Sequence, residues 1–228
     1  LQIHLSFVGA AYSGAMRIRS RWILLGLTLL AARAHGDVTV DVNPVTVERK
    51  IFDPAHPPAD MPSLHEREAA LTQSEFSCGV AVTYQVLSHR QQDGLCHSVL
   101  KVRGLAITLQ LKLVIWLPNN ATPKLSAHEE GHREIAERVY QDAEKAARSI
   151  TKSLEGKTLA GDAADCEAAE KGAVRAAADQ FCHAYLDLTA RPASRVGDIY
   201  DEITAHGTKK EPAEDEAIRQ AFEREKQQ

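Results

Sequence analysis

Apolar and polar residues alternate in four runs between residues 38 and 117. Residues 38–42 and 45–51 keep that alternation on either side of Asn43-Pro44 and predict two short strands. Phe76, Cys78, Val80, Val82, Tyr84 and Val86 fall on one side of residues 76–87, the pattern of a half-buried strand. The longest run covers 105–117, where Leu105, Ile107, Leu109, Leu111, Leu113, Ile115 and Leu117 share a face. Thr108, Gln110 and Lys112 occupy the other, which is therefore partly wet. Prolines 54, 57, 58 and 62 mark residues 52–63 as a surface loop, and Pro118-Asn119-Asn120 stops the last strand. Asp93-Gly94 is a hairpin signal between two alternating runs. A tight hairpin centred there sets Cys96 opposite about His89 and Cys78 opposite about Ile107.

After Pro123 the period lengthens to that of a helix. Ser126 is a good N-cap with Glu129 at capping-box spacing, and Ile135, Val139, Ala143, Ala146 and Ile150 continue as one stripe. Gly156 closes that helix, and a second, alanine-rich one spans about 162–188 and stops at Pro192. Residues 209–228 are dominated by charged residues and Gln, which predicts a frayed helix or a disordered tail. The expected class is α+β, with a mainly antiparallel sheet of three to five strands packed on the first helix and a second long one.

The 228 residues are 44% hydrophobic and 25% charged, an ordinary globular composition. A net charge of −4 and 5% aromatic content speak against a nucleic-acid partner. Arg17, Arg19 and Arg21, then the apolar residues 22–30, then Ala32-Arg33-Ala34 have the parts of a signal peptide over 16–34. Translation then starts at Met16, and residues 1–15 are a non-native extension. Cleavage after Ala34 takes the basic residues from 27 to 23 against 31 acidic ones, a charge of −8. The mature chain is expected to be soluble, periplasmic or extracellular, free of the membrane, with its oligomeric state open. Its new first residue, His35, has no partner histidine placed to make it a chelating site.

Four cysteines in an exported chain suggest two disulfides, with three possible connectivities. The hairpin keeps Cys78 and Cys96 apart. An unbroken helix would hold Cys166 and Cys182 about 24 Å apart, beyond disulfide reach. A break at Gly172 would rescue that pairing; otherwise both bonds tie sheet to helix, either as Cys78–Cys182 with Cys96–Cys166, the pairing favoured here, or as Cys78–Cys166 with Cys96–Cys182.

His128-Glu129-Glu130-Gly131-His132 is an H-E-x-x-H motif in the predicted helix. Two histidines four residues apart project from one face, where their rings can share one zinc ion. Glu129, rotated by about 100°, can reach a water on the metal as general base while Glu130 faces solvent. A catalytic zinc takes a third protein ligand, and the metzincin position for it holds Arg138. The candidate segment lies further on, at residues 200–207. His56, His65, His89, His97 and His183 have settings typical of surface or core histidines.

H-E-x-G-H followed some seventy residues later by Y-D-x-x-T-x-H-G resembles the bacterial domain of unknown function 922, a family of predicted secreted zinc-dependent proteases. The matching residues are His128, Glu129, Gly131, His132, Tyr200, Asp201, Thr204, His206 and Gly207. The resemblance implies that His206 is the third ligand. It implies that Asp201 holds a ligand histidine or replaces His206, and that Tyr200 donates to the oxyanion or simply packs. Residues 35–208 are thus read as a zincin-like metallohydrolase binding one Zn2+, with an extended peptide or protein substrate beside an exposed strand. The alternative is a non-catalytic zinc-binding envelope protein, whose zinc has a closed set of four ligands. A helical interaction module built on the alanine-rich helix and charged tail is the third reading.

Overall fold

The structure, a computed structural model, describes residues 2–3, 6–7, 37–64 and 68–227. The expected leader at 16–34, His35 as the expected first residue after cleavage, and His65 lie outside them. Of residues 1–15, only two short strands are described, β1 (Gln2–Ile3) and β2 (Ser6–Phe7).

The expected strands are present, and two of them are much longer than their alternating cores. β5 (Leu71–Gln92) and β6 (Leu95–Pro118) form one antiparallel ribbon. Its turn uses positive φ at both Asp93 (53°) and Gly94 (79°), as a tight two-residue hairpin requires. Cys96 pairs with Gln91 and Cys78 with Leu109, so the expected register was two residues out. Two shifts along the ribbon skip Arg103 on β6 and Leu87 on β5, and they cancel.

The other strands add to these two, and mostly in parallel. β3 (Asp37–Val42) and β4 (Thr46–Phe52) lie end to end along the free edge of β6, both parallel to it. Asn43-Pro44 is a joint between them, with Asn43 N–H donating to Leu109 O at 3.0 Å. β7 (Thr158–Ala163) continues that edge in antiparallel sense, and β1 and β2 pair parallel with β5. Among the described residues the sheet has seven strands and four of its six pairings are parallel. This corrects the expected three to five mainly antiparallel strands. Alternation reports which face of a strand is buried and carries no information about the direction of its neighbour.

The helices cover one face of this sheet. α1 (Pro123–Tyr140) starts earlier than Ser126: Thr122 is the N-cap, accepting from Leu125 N–H at 3.1 Å, with Pro123 as first residue. Glu129 is thereby moved into the second turn, clear of capping. The apolar stripe breaks after Tyr140, where Asp142 N–H turns back to Val139 O and starts α2 (Ala143–Thr151). α3 (Cys166–Leu188) is unbroken at Gly172 and lies against β5, β6 and β7. Disulfides Cys78–Cys182 and Cys96–Cys166 tie it to the two long strands, with Cα–Cα separations of 5.5 and 5.0 Å. Leu109, Leu111 and Leu113 of β6, with no exposed surface, meet Ala136, Ala147 and Phe181 in the main core.

Two helices differ from expectation. Pro192 stops nothing; it is the third residue of α4 (Ala190–Thr204), in the first turn, where a missing N–H costs no helical bond. The charged carboxyl-terminal segment contains α5 (Glu214–Glu225), which buries Ala217, Ile218 and Ala221 against Val196, Ile199 and Ile203 of α4. Three small or branched residues and a half-buried Phe222 suffice to dock it, and Arg195 donates to Glu225 at 2.6 Å across the pair. Among the described residues no helix is long and apolar enough to cross a membrane.

Candidate metal centre

α1 and α4 pack against each other, and each contributes donors to their interface. His128, Glu129 and His132 on the second and third turns of α1 are 3–5% exposed, and Asp201 on α4 is 8% exposed. His128 Nε2 and His132 Nε2 lie 3.1 and 2.9 Å from the same oxygen, Asp201 Oδ1. The three ligand atoms fall within 4.8 Å of one another. A tetrahedral zinc with bonds of about 2.0–2.1 Å separates its ligands by roughly 3.3 Å, so the spacing suits one ion. These residues line a cavity of about 20 Å3 with Thr72, Leu125, Glu129 and His206, room for one ion or one water.

The hydrogen bonds around His128 set which of its nitrogens faces Asp201. Thr204 donates its hydroxyl proton to Tyr200 O at 2.8 Å. Toward His128 Nδ1, 3.4 Å away, that oxygen can then only accept, which puts the ring proton on Nδ1. A neutral ring with that proton turns its Nε2 lone pair to the Asp201 side, the form that ligates a metal, whereas a second proton on Nε2 makes the ring a charged donor to Asp201 Oδ1. At 3.1 Å the two atoms are held together by a positive charge between them, which either a proton on Nε2 or a bound metal ion supplies. His132 Nδ1 is buried without a hydrogen-bond partner among the described residues.

Burial opposes the charge of Asp201, yet hydrogen bonds and charge from both histidines outweigh it and hold the carboxyl well below the usual carboxylate range. Burial pushes the Glu129 carboxyl up, against the pull of His132, the Thr72 hydroxyl and His128. Thr72, at the start of β5, lies 2.8 Å from Glu129 Oε2 and 3.0 Å from its carbonyl oxygen. Its single proton can serve either acceptor. Nothing in the strand pattern distinguishes Thr72 from its neighbours. Glu130 turns away to Arg49 and Arg133 at the surface.

The second motif is built around the first. Tyr200 is fully buried, with its ring stacked on His128 (4.9 Å, 11°) and edge-on to His132 (5.1 Å). Its hydroxyl points at α1, 3.5 Å from His128 O, and Tyr200 is not among the cavity-lining residues. In this arrangement the Tyr200 ring fills the space behind both imidazoles. Gly131 makes the stacking possible, since a Cβ there would stand 2.3 Å from the Tyr200 hydroxyl.

His206 sits at the cavity rim. Its side chain is 39% exposed and its Nδ1 is 3.9 Å from Asp201 Oδ1, outside the tight group formed by His128, His132 and Asp201. α4 unwinds through three consecutive left-handed residues, Ala205 (φ 48°), His206 (φ 52°) and Gly207 (φ 73°). Each non-glycine residue there costs about 1–2 kcal/mol, strain retained where it turns His206 back to the cavity. At Gly207 a Cβ would lie 2.8 Å from His128 Cγ. Thr204 and Gly207 thus close on the His128 ring from the end of α4.

Comparison with family models, curated proteins and solved structures returns no match.

Proposed function

We propose that this chain is an exported zinc-dependent hydrolase of the zincin type, a peptidase that cleaves peptide or protein substrates. The observation that carries the reading is the shared cavity: Glu129 opens onto the same space as the converging His128, His132 and Asp201. The resemblance of both motifs to the domain of unknown function 922 family agrees with it. Two disulfides suit an oxidising compartment, periplasmic or extracellular, reached through the leader at 16–34.

His128, His132 and Asp201 would hold the ion, with His206 at the open side. Bound there, zinc supplies Lewis acidity toward a carbonyl and acidifies a water toward neutral pH. Glu129 takes the proton of the attacking water and later delivers it to the departing amine. Its burial raises the carboxyl toward the range in which one group can do both. Thr72 fixes the rotamer of that carboxylate, and Tyr200 and Thr204 fix the ring of His128.

The 3.9 Å between His206 and Asp201 favours one rival, a zinc closed by four protein ligands in a non-catalytic envelope protein. Metal analysis and a quenched-fluorescence casein assay separate the two. Glu129→Gln is expected to retain one zinc and lose activity by about 10²–10⁴-fold. Full activity in that variant would end the assignment of Glu129. A zinc-loaded wild type that cleaves nothing, and loses its metal with His206→Ala, would establish the closed shell.

A further inference from the structure

The metal cavity is too small to recognise a substrate, since about 20 Å3 holds one ion or water. Binding energy for a specific substrate must come from an adjoining surface. One adjoins it directly. A pocket of about 560 Å3 lies under the loop after β4, walled by Phe52, Pro58, Met61, Leu64 and Pro118. Glu68 and Ala69 line both this pocket and the metal cavity, so a single stretch of backbone separates the two.

We propose that this pocket receives a large apolar side chain of the substrate, next to the bond that is cut. The inference deepens the hydrolase reading and rests on it for the meaning of "next to". The walls fit that occupant and few others. Pro54, Pro57, Pro58, Pro62 and Pro118 contribute no N–H donors, and Ser63, Glu68 and Asn120 are the only polar side chains among the described lining residues. Most of the wall thus gives an entering polar group no donor in exchange for water. Fixed φ angles at these prolines make the loop stiff, and a preformed apolar pocket binds without an ordering cost. The volume lies within the range of small-molecule sites and exceeds what Ala or Val would fill. The far wall is anchored by Trp116 and Leu71, which pack with Phe52, Met61 and Leu64 in a cluster of their own. Leu71 precedes Thr72, so the strand that holds the pocket also positions the hydrogen-bond partner of Glu129.

The test uses the zinc-loaded Glu129→Gln chain, so that binding is read without turnover. Acetylated Gly-Gly-Phe-Gly-Gly and its central Ala and Asp counterparts are titrated by NMR. The Phe peptide is expected to bind at least about tenfold tighter than either, and Met61→Arg, with zinc still bound, to abolish the difference. Leu64→Arg serves if Met61→Arg does not fold. Equal affinity for the three peptides, or a preference that survives a folded pocket variant, would overturn the proposal. Failure of the wild type to cleave the Phe peptide refutes the hydrolase reading separately, because the binding preference is measured without it.

Discussion

Replacing Gly131 by alanine sets two known effects against each other. In an exposed helix interior the change stabilises by up to about 1 kcal/mol, because glycine loses more backbone entropy on folding. Here the new Cβ would stand 2.3 Å from the Tyr200 hydroxyl and 2.7 Å from Cζ. An ordinary C···O contact is about 3.3 Å, so ring or helix must give by about 1 Å. Tyr200 has no exposed surface and is stacked on His128, which leaves it nowhere to retreat. Overpacking of this kind costs about 1–3 kcal/mol, enough to cancel or reverse the propensity gain. Gly172 in α3 is the control, because a Cβ there meets nothing within 4 Å. Gly172→Ala should be stabilising by about 0.5–1 kcal/mol, and the gap between the two variants isolates the steric cost. At about 2–4 °C per kcal/mol, their melting temperatures in chelator should differ by roughly 3–10 °C. Zinc affinity, measured by competition with a chromogenic chelator, should fall for Gly131→Ala and stay unchanged for Gly172→Ala. Equal stability of the two variants, with wild-type zinc affinity in both, would refute the wedging of Tyr200 against α1.

Three further outcomes are expected. Thr204→Val removes the acceptor that keeps the ring proton of His128 on Nδ1; zinc should bind about 10–100-fold more weakly and Thr204→Ser should restore it, whereas tight binding by the valine variant would contradict the tautomer argument. Burial and the nearby Asp41 charge push the Tyr140 hydroxyl up to about 12, above its ordinary value of 10.0. The folded state therefore holds that proton more tightly, so its contribution is complete below pH 10 and drains away as pH climbs to about 12. Urea melts across that window should show a steep loss that Tyr140→Phe reduces, and an unchanged slope would exclude Tyr140 as its source. Cys78→Ser with Cys182→Ser opens a cross-link of 104 residues and should cost about 2–5 kcal/mol in the same melts; a midpoint equal to wild type would show that α3 is held by packing alone.

Much of the centre was legible because it is local. Helical spacing alone puts His128 and His132 on one face with Glu129 beside them, and 16 residues of helix alone keep Cys166 from Cys182. The second segment could be named, but not the donor it would deliver. His206 and Asp201 are five residues apart, and the choice between them depends on how α4 ends. Three left-handed residues hold His206 at the rim while Asp201, inside the last helical turn, meets both imidazoles. The roles of Gly131 and Gly207 were equally hidden, since each is an absence of atoms opposite a ring from elsewhere in the chain. The tail looked too polar to fold because burial there needs only Ala217, Ile218, Ala221 and part of Phe222, and α4 supplies the other side.

The amino-acid sequence by itself determined the buried face of each long strand, the hairpin turn and the histidine pair, because each follows from a repeat of two or about four residues. Tertiary structure alone decided that β3 and β4 run parallel to β6, that Thr72 meets Glu129, and that Asp201 rather than His206 lies closest to both rings. Those outcomes depend on which surfaces of distant segments come into contact, and no local periodicity encodes that contact.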